Sequence, residues 1–449
     1  LPGCHEALTA YRNLTPFTCN CTGDHAYTQL FSMRAAIAPV IAIIIVQILV
    51  ALLAPVLGTW LDFSGHRMRT WKQLWVGGTL GTLGMIAVAP NGIWIIGLAF
   101  AMITHVFTEL TNVPRSSYLA DCTEDNAERG YTSGLRQLAS YSSQLAFGII
   151  VGPFTLVFPN NPAITSMVAA GVCAVWYASA MPFIFRMLPE VGPQRVDTAA
   201  GPAPSAIGVA FAELLREFRA LRQYPEAVKY LILNGVLANN CIGVLITLVT
   251  PYTVQELKMT SGQEVVLVGL TVLFVGMGTS YAMAKLALNK RLSFKQMWLA
   301  IFTDGLLISI LVPLLTSRGH SYGSNMLVII SLSGVLGALG LSWYYSVGWA
   351  AFIQLVPQGQ IGQYVGLFTF AQNIFFWVQQ VVYSSVAQGT NNHRWAFATS
   401  SVWALAGLVL TFFMDFEKGQ KDALQSRGSE ETTSSSTTSA AKASSSSLA

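Results

Sequence analysis

Charged residues are scarce in this chain. Asp, Glu, Lys and Arg make up 10% of its 449 residues, whereas a soluble domain usually carries about 25%. The hydrophobic fraction is 53%, which is too much for one buried core. Apolar runs of about 20 residues, the length that crosses a bilayer, recur along almost the whole chain. The shortage of charge therefore excludes a string of soluble domains and favours one membrane domain.

Sequence patterns for enzymatic chemistry are also missing. The chain has no P-loop, HExxH or nucleophile elbow, so it lacks residues for ATP-driven pumping or hydrolysis. Cys122, Cys173 and Cys241 are scattered without metal-ligand spacing. The net charge of +4 is spread over loops, so the sequence has no basic patch of the kind that binds nucleic acid. We therefore expect no enzyme activity, no cofactor, no metal site and no nucleic-acid partner.

The apolar runs predict an all-α polytopic membrane protein. They are continuous, unlike the short alternating segments of a β-barrel, and a helix then satisfies every backbone group in lipid. By the length criterion we count roughly eleven spans. They lie near residues 35–57, 73–90, 92–112, 133–158, 163–185, 228–252, 264–286, 296–316, 325–355, 363–388 and 395–414.

The loops between these spans alternate in charge, which predicts the topology. One set is rich in Lys and Arg, and the other set is nearly free of both. The positive-inside rule places the basic set in the cytosol, so the segment before the first span is lumenal or extracellular and the C-terminus is cytosolic. The basic loops are 58–72, 113–132, 186–227 and 285–295.

A weak internal repeat suggests two similar halves. The basic stretch 58–69 after the first span is matched by 284–295 after the seventh, and Ser133-Gly134-Leu135 is matched by Val365-Gly366-Leu367. Two related halves joined by a cytosolic linker are typical of secondary transporters.

One of these stretches carries a specific motif. Gly58, Asp62, Gly65, Arg67 and Arg69 have the spacing of motif A of the major facilitator superfamily, and this region resembles it. Gly65 permits a tight turn, and Asp62 can face a helix N-terminus or an arginine. The resemblance implies that these residues form a gating motif. It also implies that the first span here is the second of that family, so that about eleven of twelve spans are present.

Three further stretches resemble the autophagy-related vacuolar amino-acid effluxer family. They are Glu128-Arg129-Gly130 with Ser133-Gly134, AVWYASAMPFIFRMLPE at 174–190 and LVPQGQIGQYVGLFTF at 355–370. The resemblance covers about 34–414 and implies export of amino acids from a vacuole or another endomembrane compartment. The chain departs from the family where the family carries charge. Neutral residues stand there instead, at Asn239-Asn240, Tyr344-Tyr345-Ser346 and Gln372-Asn373.

The resemblance and the composition together predict five regions. Because the chain starts at Leu1 without a signal-peptide pattern, we expect its N-terminus to be truncated. The first region also holds two glycosylation sequons, at Asn13 and Asn20, and Cys4 could pair with Cys19 or Cys21. The regions are a lumenal or extracellular loop (1–33), an N-terminal half bundle lacking its first helix (34–185), a cytosolic linker with an amphipathic helix (186–227), a C-terminal half bundle (228–414) and a disordered cytosolic tail (415–449).

Ionisable residues inside the spans are candidates for proton coupling. His105 and Glu109 share one helix face and could relay a proton or bind a substrate amine. The alternative is a hydrogen-bonded interior histidine and a glutamate at the cytosolic interface. Histidine is the side chain that most readily switches charge near physiological pH. Asp304 also lies within a span, where a structural partner is the favoured reading.

Two polar stripes predict the solute site. Gln137, Tyr141, Gln144 and Gly148 have the same spacing as Gln372, Phe376, Gln379 and Tyr383. In the superfamily fold the two helices flank the central cavity, where sparse neutral polar groups would suit a net-neutral solute. Hydrogen bonds between helices are the alternative use of these groups. The predicted ligands are Gln144, Asn239, Gln372, Gln379 and Tyr383.

The sequence thus predicts a secondary transporter that works by alternating access. The leading interpretation is an exporter of amino acids or similar small solutes from a vacuole-like compartment, working as a uniporter or linked to protons. Its partners would be the solute, protons and the lipid bilayer. A sugar- or drug-type facilitator of the same fold is one alternative, and a non-transporting membrane receptor or scaffold is the other.

Overall fold

The computed structural model describes a defined set of residues. Predictions for Gly65, for the cysteines and sequons near the N-terminus, for most of the linker helix and for the tail beyond 424 lie outside that set. The described residues are 27–28, 33–34, 37–64, 66–88, 94–121, 126–158, 162–188, 216, 219, 221–257, 262–289, 291–316, 322–332, 338–356 and 361–424.

The first part of the described chain is helical after one short β-ribbon. Its strands pair antiparallel, with Tyr27 opposite Arg34. The elements are β1 (Tyr27–Thr28), β2 (Met33–Arg34), α1 (Ile37–Ser64), α2 (Arg67–Val88), α3 (Trp94–Leu110), α4 (Asn112–Asp121), α5 (Asn126–Val157) and α6 (Pro162–Met187).

The second part contains two π-helical segments, in which the backbone bonds run from i to i+5. Its elements are a 3-10 helix (Leu221–Gln223), α7 (Pro225–Leu231), π1 (Ile232–Gly243), α8 (Leu245–Pro251), π2 (Tyr252–Glu256), α9 (Gly262–Leu288), α10 (Phe294–Leu315), α11 (Tyr322–Leu332), α12 (Ala338–Gln354), α13 (Ile361–Ile374), α14 (Phe376–Thr390), α15 (His393–Ala398) and α16 (Ser400–Phe412). Residues 416–424 are also helical.

The predicted spans are confirmed as helices. Each coincides with one or more described helices, and eight helices of the described residues are long and apolar enough to cross a membrane. The helices extend further than predicted, however. α1 continues to Ser64 and α2 begins at Arg67, so most of the predicted loop 58–72 is helical. Hydropathy marks only the part of a helix in hydrocarbon, whereas the helical backbone bonds continue into the polar interface.

Local signals fix several helix starts in the second part. Ser293 and Gln296 form a capping box at the start of α10, each side chain bonding the backbone of the other. Pro225 stands at the first position of α7, where its missing N–H costs nothing. Asn392 caps α15 by accepting a hydrogen bond from the Arg394 amide at 2.9 Å.

An aromatic core ties the helices of the second part together. The Tyr230 ring stacks on Phe352 and Phe368 at 6.1 and 6.3 Å, and Trp298 meets it edge-on at 5.6 Å. All four side chains are buried. They come from α7, α10, α12 and α13, so these helices pack as one body.

Two pairs of helices make the most extensive contacts between the two parts of the described chain. α1 packs along α13, and α5 packs along α9. Small residues let these backbones approach closely. A Cβ on Gly366 would lie 2.7 Å from the Ala54 carbonyl oxygen, and a Cβ on Gly134 would lie 2.6 Å from Cβ of Ala284. Gly134 and Gly366 are the glycines of the weak sequence repeat, so the repeat marks the contacts between the two parts.

Candidate functional site

Asp62 connects the end of α1 to the start of the described part of α13. Its Oδ1 accepts hydrogen bonds from Arg67 at 3.0 Å and from the Gly362 amide at 3.1 Å. Its Oδ2 accepts from the Gln363 amide at 2.9 Å. Amides in the first turn of a helix lack carbonyl partners, and a carboxylate satisfies them. Both partners expected of the motif aspartate, a helix start and an arginine, are present.

The other residues of the motif support this contact. Gly58 lies against the Gly362 carbonyl oxygen, where any side chain would overlap it. The Arg67 guanidinium is buried with Asp62, at 1% exposure for each side chain. Arg69 is exposed. The motif therefore holds α1 to α13 at the end of the bundle where the predicted cytosolic loops lie.

A neutral polar cluster forms where π1, α12 and α13 meet. Gln372 Nε2 donates to Asn234 Oδ1 at 2.9 Å and to the Tyr344 hydroxyl at 3.4 Å. That hydroxyl donates to Asn239 Oδ1 at 3.2 Å. Asn239 Nδ2 in turn donates to the Gln372 carbonyl. The structure thus brings together Asn239 and Gln372, which the sequence predicted, with Asn234 and Tyr344, which it did not.

The π-helical backbone explains why Asn234 was missed. In an α-helix, five residues rotate a side chain by about 140°, so Asn234 and Asn239 would point in different directions. In the π-helix π1, residues five apart are stacked by the i to i+5 bonds. The signal available in the sequence was that Asn234 is a polar residue inside an apolar run. The 3.6-residue period of an α-helix, however, places Asn234 on a different helix face from Asn239.

Gln379 is held by other helices. Its Nε2 donates to Thr399 Oγ1 at 2.9 Å and to Ser400 Oγ at 3.1 Å, and its Oε1 accepts from Trp403 Nε1 at 2.7 Å. Its backbone amide donates to Asn240 Oδ1 at 3.0 Å. The amide side chain therefore uses both of its donors and its acceptor within the protein.

A break in the helix separates Gln379 from Gln372. Phe375 lies between α13 and α14 with φ −108° and ψ 2°, which is the bridge region rather than the α region. The predicted polar stripe assumed one continuous helix across this point. Gln372 and Gln379 consequently contact different neighbours, although their spacing is that of one helix face.

Tyr383 belongs to a second cluster near the opposite end of the bundle. Its hydroxyl is 3.0 Å from His393 Nδ1. Glu256 is buried at the end of π2, and its Oε2 accepts from the His393 amide at 3.2 Å. The Tyr252 hydroxyl lies 2.5 Å from Thr316 Oγ1. Tyr383 therefore joins α14 to the first residue of α15, and no hydrogen bond between described residues joins it to the Asn239 cluster.

The predicted pair on α3 does meet. His105 Nε2 lies 3.8 Å from Glu109 Oε1, and 3.4 Å from Gln47 Nε2 of α1. Glu109 Oε2 also accepts from Asn112 Nδ2 at 3.0 Å, and Asn112 Oδ1 accepts from Arg115. These contacts form a chain of polar side chains along α3 and α4.

His105 and Glu109 of α3 are partly exposed, as is Tyr345 of α12. Tyr345 is 38% exposed, and the side chains of His105 and Glu109 are 41% and 32% exposed.

Gln144 lies on α5, on the side near α9. Its Nε2 donates to Ser140 Oγ at 3.2 Å, and the residue is exposed. Its stripe neighbour Tyr141 packs beside Gly276 of α9. No hydrogen bond between described residues joins Gln144 to Asn239 or Gln372. Within the described part of the chain, no group of three or more His, Cys, Asp or Glu side chains could hold a metal ion.

Comparison with known proteins gives one family match. The profile of the family described as "Vacuole effluxer Atg22 like" matches residues 135–424. No curated protein sequence matches the chain.

Solved structures of transporters resemble the whole chain. The human organic anion transporter MFSD10 is 16% identical, with a TM-score of 0.53 over 91% of this chain and 88% of that one. The E. coli fucose:proton symporter FucP is 12% identical, with a TM-score of 0.57 over 85% of this chain and 91% of that one. The proton:xylose symporter XylE is 12% identical, with a TM-score of 0.59 over 92% of this chain and 90% of that one. Such low identities show the fold alone, which is that of the major facilitator superfamily.

Proposed function

Since this chain belongs to the Atg22-like vacuole effluxer family, we propose that it carries amino acids or similar net-neutral solutes out of a vacuole-like compartment. Its family and its fold are those of integral membrane transporters. Transporters of this fold expose a central site to each side of the membrane in turn, by rocking one half against the other.

The neutral cluster on three helices is the observation that carries this proposal. Asn234, Asn239, Tyr344 and Gln372 offer donors and acceptors without charge. A few convergent polar groups in apolar walls are typical of small-molecule sites. A solute with net charge would lose several kcal/mol on entering neutral walls. The cluster therefore favours a solute that is neutral overall.

Glu109 completes the site from the other half. Its carboxylate is partly exposed within the spans of the first part, and there it can pair with the ammonium group of an amino acid. His105, 3.8 Å away, can exchange a proton with Glu109. This pair is our candidate for proton coupling. Gln144 remains a proposed wall residue, and we place Gln379 and Tyr383 behind the site because their side chains bond α15, α16 and His393.

Solute binding to the purified full-length chain tests the proposal. We expect neutral amino acids to raise its melting temperature and to exchange across proteoliposomes. Gln372→Ala should weaken both effects. Stabilisation by sugars alone would support the sugar facilitator, which the neutral cluster also suits. Absence of binding and of flux for amino acids, sugars and drug-like cations would favour a receptor or scaffold and would contradict our proposal.

A further inference from the structure

We propose that Asp304 is a proton-binding site inside the second part of the chain, behind the Asn239 cluster. The site itself stands on geometry alone, and only its coupling to solute movement rests on the proposed function. Nothing in the family match or in the related structures assigns a role to this residue.

Asp304 lies at the middle of a membrane-spanning helix. It is ten residues from the start of α10 (Phe294–Leu315), which is about 15 Å along the helix. The residue is 4% exposed. Ionisable groups at this depth are costly and are retained mainly where they serve a function.

Asp304 differs from the buried carboxylates of Asp62 and Glu226 in having no cationic partner among the described residues. Asp62 pairs with Arg67, and Glu226 pairs with Lys229 at 2.7 Å. Asp304 accepts a hydrogen bond from the Gly340 backbone. Its Oδ2 has no hydrogen-bond partner among the described residues. Burial without a counter-charge disfavours the ionised carboxylate, so the protonated form is favoured. The carboxylate takes this proton from water, and it returns the proton to water when it ionises.

The ionisable groups on the neighbouring helices do not replace Asp304 as the group that binds the proton. Cys241 of π1 is the titratable group beside it. Lys295, on α10 itself, is bonded to the carbonyls of Phe412 and Met414 at the other helix end. Tyr344 of α12 is engaged by Asn239. The groups on α15 are His393 and Arg394, beside the C-terminal end of α10, and the described α16 has none.

Two of the helices beside Asp304 also carry the Asn239 cluster. Cys241 and Ile242 on π1 pack against α10 at Gly305, two and three residues beyond Asn239. Gly340 on α12 receives the carboxylate, one helical turn before Tyr344. A change of charge at Asp304 therefore acts on π1 and α12, the helices that supply Asn239 and Tyr344.

Infrared spectroscopy of the purified protein tests this site without any transport. We expect a C=O band of a protonated carboxylic acid that disappears as pH rises and that shifts when Asp, but not Glu, is labelled with ¹³C. Asp304→Asn keeps an oxygen for the Gly340 N–H and should remove the band. Cys241→Ala is the matched control and should retain it.

Three outcomes would overturn the site. They are a wild-type protein without the band, a wild-type band that follows ¹³C-Glu, and a band that persists in a folded Asp304→Asn protein. If Asp304→Asn does not fold, Asp304→Glu decides, because its band should follow the ¹³C-Glu label instead of the ¹³C-Asp label. Coupling is read separately, from solute exchange at several pH values. Asp304→Asn should reduce the pH dependence of exchange, and the part that remains would be the part carried by the His105–Glu109 pair. A wild type that moves no solute would defeat the proposed function but leave the infrared result standing.

Discussion

Asp62 joins the two parts of the chain at one end of the helix bundle. Its carboxylate holds two amides of α13 and the buried Arg67 guanidinium. We expect Asp62→Asn to slow solute exchange at least tenfold while leaving equilibrium solute binding within about twofold. The physical reason is that charge-assisted hydrogen bonds are worth about 1.5–3 kcal/mol each, and these bonds exist only while the gate is closed. Exchange rates and binding isotherms are the measurements.

The control for this gate is Arg69→Gln, which removes a charge from the same motif at an exposed position. That variant should leave the exchange rate near the wild-type value, since exposed charges contribute little. Loss of solute binding in a well-folded Asp62→Asn protein would show that Asp62 belongs to the solute site. Our assignment of a gating role would then be wrong.

Gln372 and Gln379 lie on one span, and we expect their roles to differ. Gln379 is buried, whereas Gln372 is partly exposed. Gln372→Ala should weaken solute binding roughly tenfold, and it should also lower stability somewhat because buried Asn234 loses a hydrogen bond. Gln379→Ala should lower stability more and leave binding near the wild-type value, because Thr399, Ser400 and Trp403 would lose the hydrogen bonds of its side chain. Leaving a buried polar group unsatisfied costs about 1–3 kcal/mol. Binding and thermal unfolding of both variants, measured together, separate the roles, and equal effects on binding would refute the distinction.

At the scale of the element, the sequence predicted helices well and their faces less well. Hydropathy locates the spans because backbone N–H and C=O groups in lipid must form hydrogen bonds within the segment, as they do in a helix. It carries no information on the π-helix that aligns Asn234 with Asn239, or on the interruption at Phe375. Both depend on packing against neighbouring helices. The neutral cluster was therefore half predicted, through Asn239 and Gln372, and Gln379 was assigned to a face it does not share.

The crossing of α1 and α13 makes a prediction about helix packing. Gly58→Ala places a methyl group against the Gly362 carbonyl oxygen, so these helices must separate. We expect a cysteine at position 363, buried in the structure, to react faster with a maleimide in this variant. Gly278→Ala is the control, since a Cβ there meets nothing within 4 Å. Equal labelling rates in the two variants would mean that the contact tolerates a methyl group.

For the whole molecule, hydropathy and the motif at Asp62 predicted the fold, and the structural comparisons agree. The contact between the two parts could not be predicted from composition. The roles of Gly58, Gly134 and Gly366 depend on which helix packs against each of them. The solute identity is equally absent from any pattern of apolar runs. In our proposal it depends on Glu109 and the Asn239 cluster.

Orientation in the membrane is the property of the whole molecule that the charge pattern predicts most directly. Each Lys or Arg near an anionic cytosolic leaflet contributes about 1 kcal/mol, and the basic loops share one side. In a cysteine-free background, we expect Arg69→Cys and Lys421→Cys to react with an impermeant maleimide on sealed vesicles whose cytosolic face is outward. Gln388→Cys, at the opposite end of the bundle, should react only after permeabilisation. All three positions are exposed, so burial does not explain a lack of labelling. The reverse pattern would invert the topology and with it the direction of export.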